Sequence, residues 1–402
     1  MAVELEEARP GGSALPKAEP LWRRDFILIT LASLVMYIAY TMLLPTVPLY
    51  VKFLGSGEST IGLVVAAFMV TAVGIRPLVG WALDNIGRKM IFLIGMVIFT
   101  VSALSYRWTL GIPMLLAIRL LHGVGWGAST TSSATMASDV IPERRLGEGM
   151  GFFGLSITLA IAVGPALGLT MVNRSGFPLL FFTCTALGLA SLALGTIVRS
   201  KPVSRETRAQ GSSFFEPVAL RPSLVVLLAT FTWAALTSFL ALYAAERGIQ
   251  NIGLFFTVLA LAISVARPTS GLILDRFGFD TLVLTGLSCF GVAMIILSQA
   301  RSMPVFLVAG ILYGLGYAAV LTGLQALSVH GLPAHRRGAA TGTFYMGFDL
   351  GIGVGSIIWG KVAETVGFSN MFLATAIPVA AAIVVYVWTG RGAGKINKLT
   401  AS

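Results

Sequence analysis

Charge is what this sequence has least of. Asp, Glu, Lys and Arg make up 11% of its 402 residues, where a soluble domain of this size carries roughly 25%. Histidine occurs three times and cysteine twice. Cys184 and Cys289 both sit in apolar stretches far from each other, which fits neither a disulfide framework nor a metal site. Paired catalytic carboxylates, a histidine cluster and a Ser/His/Asp spacing are all missing, which argues against an enzyme. No GxxxxGK[ST] segment is present, so work done by the chain must draw on an ion or substrate gradient. A receptor is disfavoured too, because neither end carries a sizeable polar signalling domain.

Apolar sequence fills the space. Hydrophobic residues reach 56% and the mean hydropathy is +0.86. Uncharged runs occupy 27–51, 149–173, 175–198, 222–245, 281–300 and 365–390. A bilayer-spanning helix needs about 20 such residues, so these segments read as transmembrane. Twelve spans can be placed, at 25–46, 60–82, 90–106, 112–136, 149–172, 178–198, 222–244, 252–274, 281–299, 305–328, 338–360 and 370–389. The net charge of +11 is then a topology signal and not a mark of nucleic-acid binding. With a cytoplasmic N-terminus, nineteen Lys/Arg fall inside and six outside, with three in spans. That asymmetry predicts a multi-pass cell-membrane protein with both termini cytoplasmic.

Sliding the chain on itself exposes a repeat at a constant offset of 191. Arg76-Pro77 recurs as Arg267-Pro268, and Gly80, Asp84 and Gly87 recur as Gly271, Asp275 and Gly278. Gly123, Gly125 and Gly164 meet Gly314, Gly316 and Gly355 in the same register. The expected architecture is all-α, with twelve transmembrane helices in two pseudo-symmetric six-helix bundles. The boundaries are a cytoplasmic tail at 1–24, bundles at 25–198 and 222–390, a basic cytoplasmic loop at 199–221, and a tail at 391–402. Parallel repeats of this kind suit a transporter whose halves rock around a midplane site.

The segment Gly80-Trp-Ala-Leu-Asp84-Asn-Ile-Gly87-Arg88-Lys89 resembles the loop signature of the major facilitator superfamily. The resemblance implies a conformational latch built from Gly80, Asp84, Gly87, Arg88 and Asp139, with Asp275 as the second-copy acid. The second copy ends Phe279-Asp280, so the full charge cluster belongs to the first half. Arg119, His122, Trp126 and Thr130 share a helical face in span 4. That segment resembles the family's span-4 signature, which implies a proton-transfer role for Arg119. His122 stands where glutamine is frequent. In span 5, Gly164-Pro165 and Gly168 resemble the antiporter signature of drug:proton exporters. Ala160 and Leu169 depart from it at positions where the signature has glycine.

Asp349 is the only carboxylate deep inside a predicted span, and its repeat equivalent is Thr158. An intramembrane acid can serve as a proton carrier or as a paired structural charge. Tyr345, Asp349 and Ser356 fall on one helical face, as a cavity lining would. Tyr37, Tyr40, Trp126, Trp233, Tyr313 and Tyr317 sit away from the interfaces and are further candidates to line an amphipathic cavity. Arg76 and Arg267 read as architectural, near enough the cytoplasmic end to snorkel. The expectation is a proton-coupled exporter of small amphipathic compounds, functional as a monomer. No bound cofactor or metal is expected, and protons and a small-molecule substrate are its partners. A dedicated carrier of one metabolite is the alternative, either an exporter of a metal chelator or a transporter of an organic anion held by Arg119 and His122.

Overall fold

The structure, a computed structural model, describes residues 20–142, 146–199, 216–332 and 334–399. Most of the expected N-terminal tail (1–24) and of the 199–221 loop therefore lie outside the described residues. Among the described residues, ten helical stretches are long and apolar enough to cross a membrane. The α-helices themselves, in chain order, are α1 (Arg24–Phe53), α2 (Glu58–Asn85), α3 (Arg88–Ser105), α4 (Ile112–Val140) and α5 (Leu146–Ile197). They continue with α6 (Leu220–Glu246), α7 (Gly253–Ser298), α8 (Met303–Val329), α9 (Ala334–Ala374) and α10 (Ala376–Leu399). Three of them are interrupted by a glycine outside helical geometry: Gly176 in α5 (φ 75°), Gly278 in α7 (φ 80°) and Gly367 in α9 (φ 80°). A positive φ costs an L side chain a Cβ–carbonyl clash, so glycine is the residue that lets the chain turn there.

Many large apolar side chains, such as Leu63, Val70, Leu261 and Val265, stand exposed on helix faces. In water such surface would be a liability, whereas lipid solvates it. The chain is an all-α multi-pass membrane protein. Helix association in lipid gains little from apolar burial and relies on close packing at small residues. The glycines carry out that packing in matched pairs. A Cβ on Gly123 would lie 2.2 Å from the Phe68 carbonyl oxygen, and one on Gly314 would lie 2.7 Å from that of Leu259. A Cβ on Gly125 would meet the Gly95 carbonyl at 2.9 Å, and one on Gly316 the Gly286 carbonyl at 2.7 Å. Each contact is its counterpart displaced by 191 residues. The sequence repeat is thus a repeat of helix contacts.

The first half is held by α1 on α5, α3 on α4 and α2 on α4; the second by α7 on α8 and α6 on α9. The halves meet along α2–α9 and α5–α7, again related by the repeat. Their contacts are tight toward the end distant from the chain termini. A Cβ on Gly62 would be 2.3 Å from the Ser356 carbonyl, and one on Gly253 would be 2.8 Å from the Ala166 Cα. The Ser59 hydroxyl donates to the Glu364 carboxylate, and the Thr257 hydroxyl donates to the Ala162 carbonyl at 3.0 Å. Toward the terminal end the packing loosens, since a Cβ on Gly80 or Gly271 would meet nothing within 4 Å.

Candidate substrate and coupling site

The helices bring three groups of sequence-selected residues toward the middle of the molecule. The first corrects an expectation. Arg76 does not snorkel away from the centre: its Nη2 lies 2.6 Å from Asp349 Oδ2, joining α2 of one half to α9 of the other. Both side chains are largely enclosed, at 25% and 12% relative exposure. An isolated charge at this depth costs about 2.5–3.5 kcal/mol on insertion scales, and pairing offsets much of that for both residues. Tyr37, Tyr40, Tyr317 and Tyr345 lie within electrostatic reach of the Asp349 carboxylate. Farther along the same face, the Ser356 hydroxyl reaches across to the Gly62 carbonyl at 3.2 Å. The face predicted to line a cavity also forms the seam between the halves.

Arg119 and His122 form a second group, completed by a residue the sequence reading missed. A short 3-10 turn at Tyr106–Trp108 caps α3 and turns the Tyr106 ring back against α4. The Tyr106 hydroxyl lies 2.9 Å from His122 Nδ1 and accepts from Arg119 Nη1 at 3.4 Å. Arg119 Nε donates to the Val64 carbonyl at 3.2 Å, and the guanidinium stacks 4.2 Å over the Phe68 ring. His122 is fully buried, and its Nε2 has no partner. Tyr106 ends a helix that sequence periodicity can place, but no pattern reveals that its hydroxyl bridges two residues of the next helix. Replacing Tyr106 with Phe should lower stability by about 1–3 kcal/mol, because it strips partners from two buried polar groups at once. Thermal unfolding of the detergent-purified variant measures this, and an unchanged midpoint would refute the bridging role.

Aromatic residues occupy two sectors. Trp126 is clasped by Tyr40, stacked at 3.8 Å between ring centroids, and by Tyr37, edge-on at 5.1 Å. In the other half Trp233 packs on Tyr317 at 4.8 Å. Tyr313 lies deeper, stacked on Phe290 at 4.3 Å with its hydroxyl 2.8 Å from Thr232 Oγ1, so it is a packing residue of the second half. Its repeat equivalent is His122, which packs edge-on against Phe99, the equivalent of Phe290. Between the sectors lies a cavity lined by Tyr40, Leu43, Val65, Met69, Arg119, Trp233, Thr237 and Ile352. It has room for little more than a water molecule in this conformation. Its walls are mostly apolar with few polar groups, the usual composition of a small-molecule site.

The latch and the antiporter-like contact are placed in part. Arg88 Nη1 pairs with Asp139 Oδ2 at 2.7 Å, tying the start of α3 to the end of α4 inside the first half. The side chains of Asp84 and Asp275 lie outside the described residues. Gly87 adopts φ 118°, which joins α2 to α3 in a turn that favours glycine. Gly164 and Gly168 seat α5 against α1. A Cβ on the first would meet Thr41 Oγ1 at 2.0 Å, and one on the second the Met42 carbonyl at 2.6 Å. The Thr41 hydroxyl donates to the Ala160 carbonyl at 2.8 Å, about one turn before Pro165 within the same helix. Among the described residues no group of three His, Cys, Asp or Glu could hold a metal ion.

Comparison with known proteins agrees with this geometry. The sequence pattern of the Major Facilitator Superfamily matches residues 29–251 and 223–401, and the chain belongs to that family. It is therefore a secondary-active transporter of small molecules, in a family that carries solutes without catalysing their conversion and runs on gradients rather than bound cofactors. An uncharacterised transporter of the same type from Methanocaldococcus jannaschii is 23% identical over 367 residues, covering 88% of this chain and 95% of the relative. The staphylopine export protein of Staphylococcus aureus is 24% identical over 367 residues, covering 87% and 91% respectively. Among solved structures, a POT family transporter in complex with 5-aminolevulinic acid superposes with a TM-score of 0.77 at 14% identity, covering 93% of this chain and 96% of that one. At that identity the likeness concerns the fold alone.

Proposed function

We propose that the protein is a proton-coupled exporter of small amphipathic compounds, working by alternating access between two six-helix bundles. The interrupted helices support twelve crossings. At 1.5 Å per residue, the 52 residues of α5 span about 78 Å, more than twice a hydrocarbon core of about 30 Å, so the chain turns back at Gly176. The same reasoning divides α7 at Gly278, while the stretch from Gly367 through α10 serves as the twelfth crossing. The bundles are then 25–198 and 222–390, and the positive charges hold both termini in the cytoplasm. In that orientation this conformation is closed on the outside and loosened on the inside.

The observation that carries the reading is the Arg76–Asp349 pair across the seam. With Asp349 ionised, the pair holds α2 to α9. A proton on Asp349 removes the charge that holds Arg76, so the seam is free to part. Each proton that enters along this path thus biases the equilibrium between the two states, which is what coupling requires. The apolar cavity and the antiporter-like Gly164-Pro165 contact support an amphipathic substrate moving outward. Efflux from loaded proteoliposomes, with and without an imposed pH gradient, tests the proposal. Transport indifferent to the gradient would reject it.

Similarity to the staphylopine export protein along nearly its whole length supports a second reading, a dedicated exporter of one metabolite. A competition panel separates the two: a polyspecific exporter is inhibited by several unrelated amphipathic compounds, a dedicated one by close analogues only.

A further inference from the structure

The repeat places two arginines in equivalent positions, but only one acid. Arg76 faces Asp349. Its counterpart Arg267 faces α5, where the residue equivalent to Asp349 is Thr158. The Arg267 Nη1 atom would lie 3.7 Å from a Cβ built on Gly154, one helical turn before Thr158 on the same face of α5. Arg267 therefore points across the seam, as Arg76 does. It is also within electrostatic reach of Tyr317 and Tyr345. Among the described residues its guanidinium has neither a carboxylate nor a hydrogen-bond partner.

An unpaired guanidinium within an apolar span is costly, and such a group marks a ligand pathway unless something neutralises it. Arg119 is the weaker candidate for holding an anion, because a carbonyl, a tyrosine hydroxyl and the Phe68 ring already engage it. An apolar groove reaches Ser264, about one helical turn before Arg267 on α7, and is bordered by Trp22 just before α1, Leu34 of α1, Phe152, Thr158 and Leu159 of α5, and Leu261 of α7. Trp22 marks its cytoplasmic end, so the groove lies at the level of the inner leaflet.

From the missing acid and the adjoining groove, the geometry points to Arg267 as the binding site for the carboxylate of an amphipathic organic anion, whose apolar body lies in the α1–α5–α7 groove. This rests on the exporter reading above and names its substrate class. The anion takes the place at Arg267 that Asp349 takes at Arg76. Guanidinium matches carboxylate geometry in a bidentate fashion, which lysine does not reproduce.

Equilibrium binding of tritiated 1-naphthoate and of its uncharged analogue 1-naphthamide tests this, using the full-length protein in phosphatidylcholine nanodiscs at fixed pH. The wild type should bind the acid about 10- to 100-fold more tightly than the amide, the range of a charge-assisted hydrogen bond. Arg267→Gln should abolish the preference. Thr158→Asp should abolish it too while leaving the arginine in place, because it copies the pair found in the other half and so guards against a folding artefact. A wild type that binds both probes equally, or neither, overturns the proposal, as does a Thr158→Asp variant that keeps the preference. Loss of naphthoate binding when phosphatidylglycerol is added to the nanodisc would reassign Arg267 to lipid headgroups and overturn it as well. Binding needs no gradient. A protein that binds naphthoate in this way but ignores the pH gradient would refute proton coupling and leave the Arg267 site standing.

Discussion

An Asp349→Asn protein reconstituted into liposomes should transport its substrate without response to an imposed proton gradient. One proton moving down 100 mV supplies about 2.3 kcal/mol, enough for roughly a 50-fold substrate gradient per proton exchanged. The expected accumulation ratio therefore falls from that order to about one, with downhill exchange retained. The variant also leaves Arg76 facing a neutral amide. Breaking a fully buried pair costs about 3–5 kcal/mol, but these side chains keep 25% and 12% exposure, so a loss of about 1–2 kcal/mol is expected. Adding Arg76→Gln should recover much of that stability without restoring coupling, since two neutral side chains leave no charge buried alone. Gradient-driven transport by either variant at the wild-type level would show that the pair is only a structural clamp.

Gly62→Leu produces the second large effect. At Gly62 the halves approach so closely that the first added carbon would sit 2.3 Å from the Ser356 carbonyl oxygen, which is backbone and cannot swing aside. The contact belongs to the seam that must open and close, so the clash falls on one state of the cycle. An overpacking cost of about 1–3 kcal/mol shifts such an equilibrium by roughly 5- to 150-fold away from the state closed at this end. Transport drops accordingly. A Thr237→Cys reporter in the central cavity, in a background lacking Cys184 and Cys289, should label faster with an impermeant maleimide added from outside. Gly123→Leu is the contrast. Its added carbon would lie 2.2 Å from the Phe68 carbonyl, inside one bundle and in every state of the cycle. That variant should lose thermal stability and show no change in sidedness. If both glycine variants behave alike, the α2–α9 contact is not the moving seam.

Much of the fold could be read locally. Charge-free runs marked the helices because a span must satisfy its own backbone and can leave few charges in lipid. The offset of 191 identified the contact glycines in both halves, since close packing leaves no room for a side chain at those points. The site was legible only as a set of residue types. Asp349 and Arg119 stood out as rare ionisable groups in apolar sequence, yet their partners did not. Tyr106 entered through a turn at the end of α3. Arg76, set aside as architectural because it recurs in both halves, turned out to hold Asp349 from 273 residues away.

The sequence by itself determined the helices, the repeat and the scarcity of intramembrane charge, because each follows from how a residue and its near neighbours partition between water and lipid. Which of those few charges meet was decided only by the tertiary structure. A pair energy depends on the distance between side chains on different helices, and helix order in space is not written in the periodicity of any one of them. Two arginines that are equivalent in the repeat became different groups when one found an aspartate across the seam and the other did not.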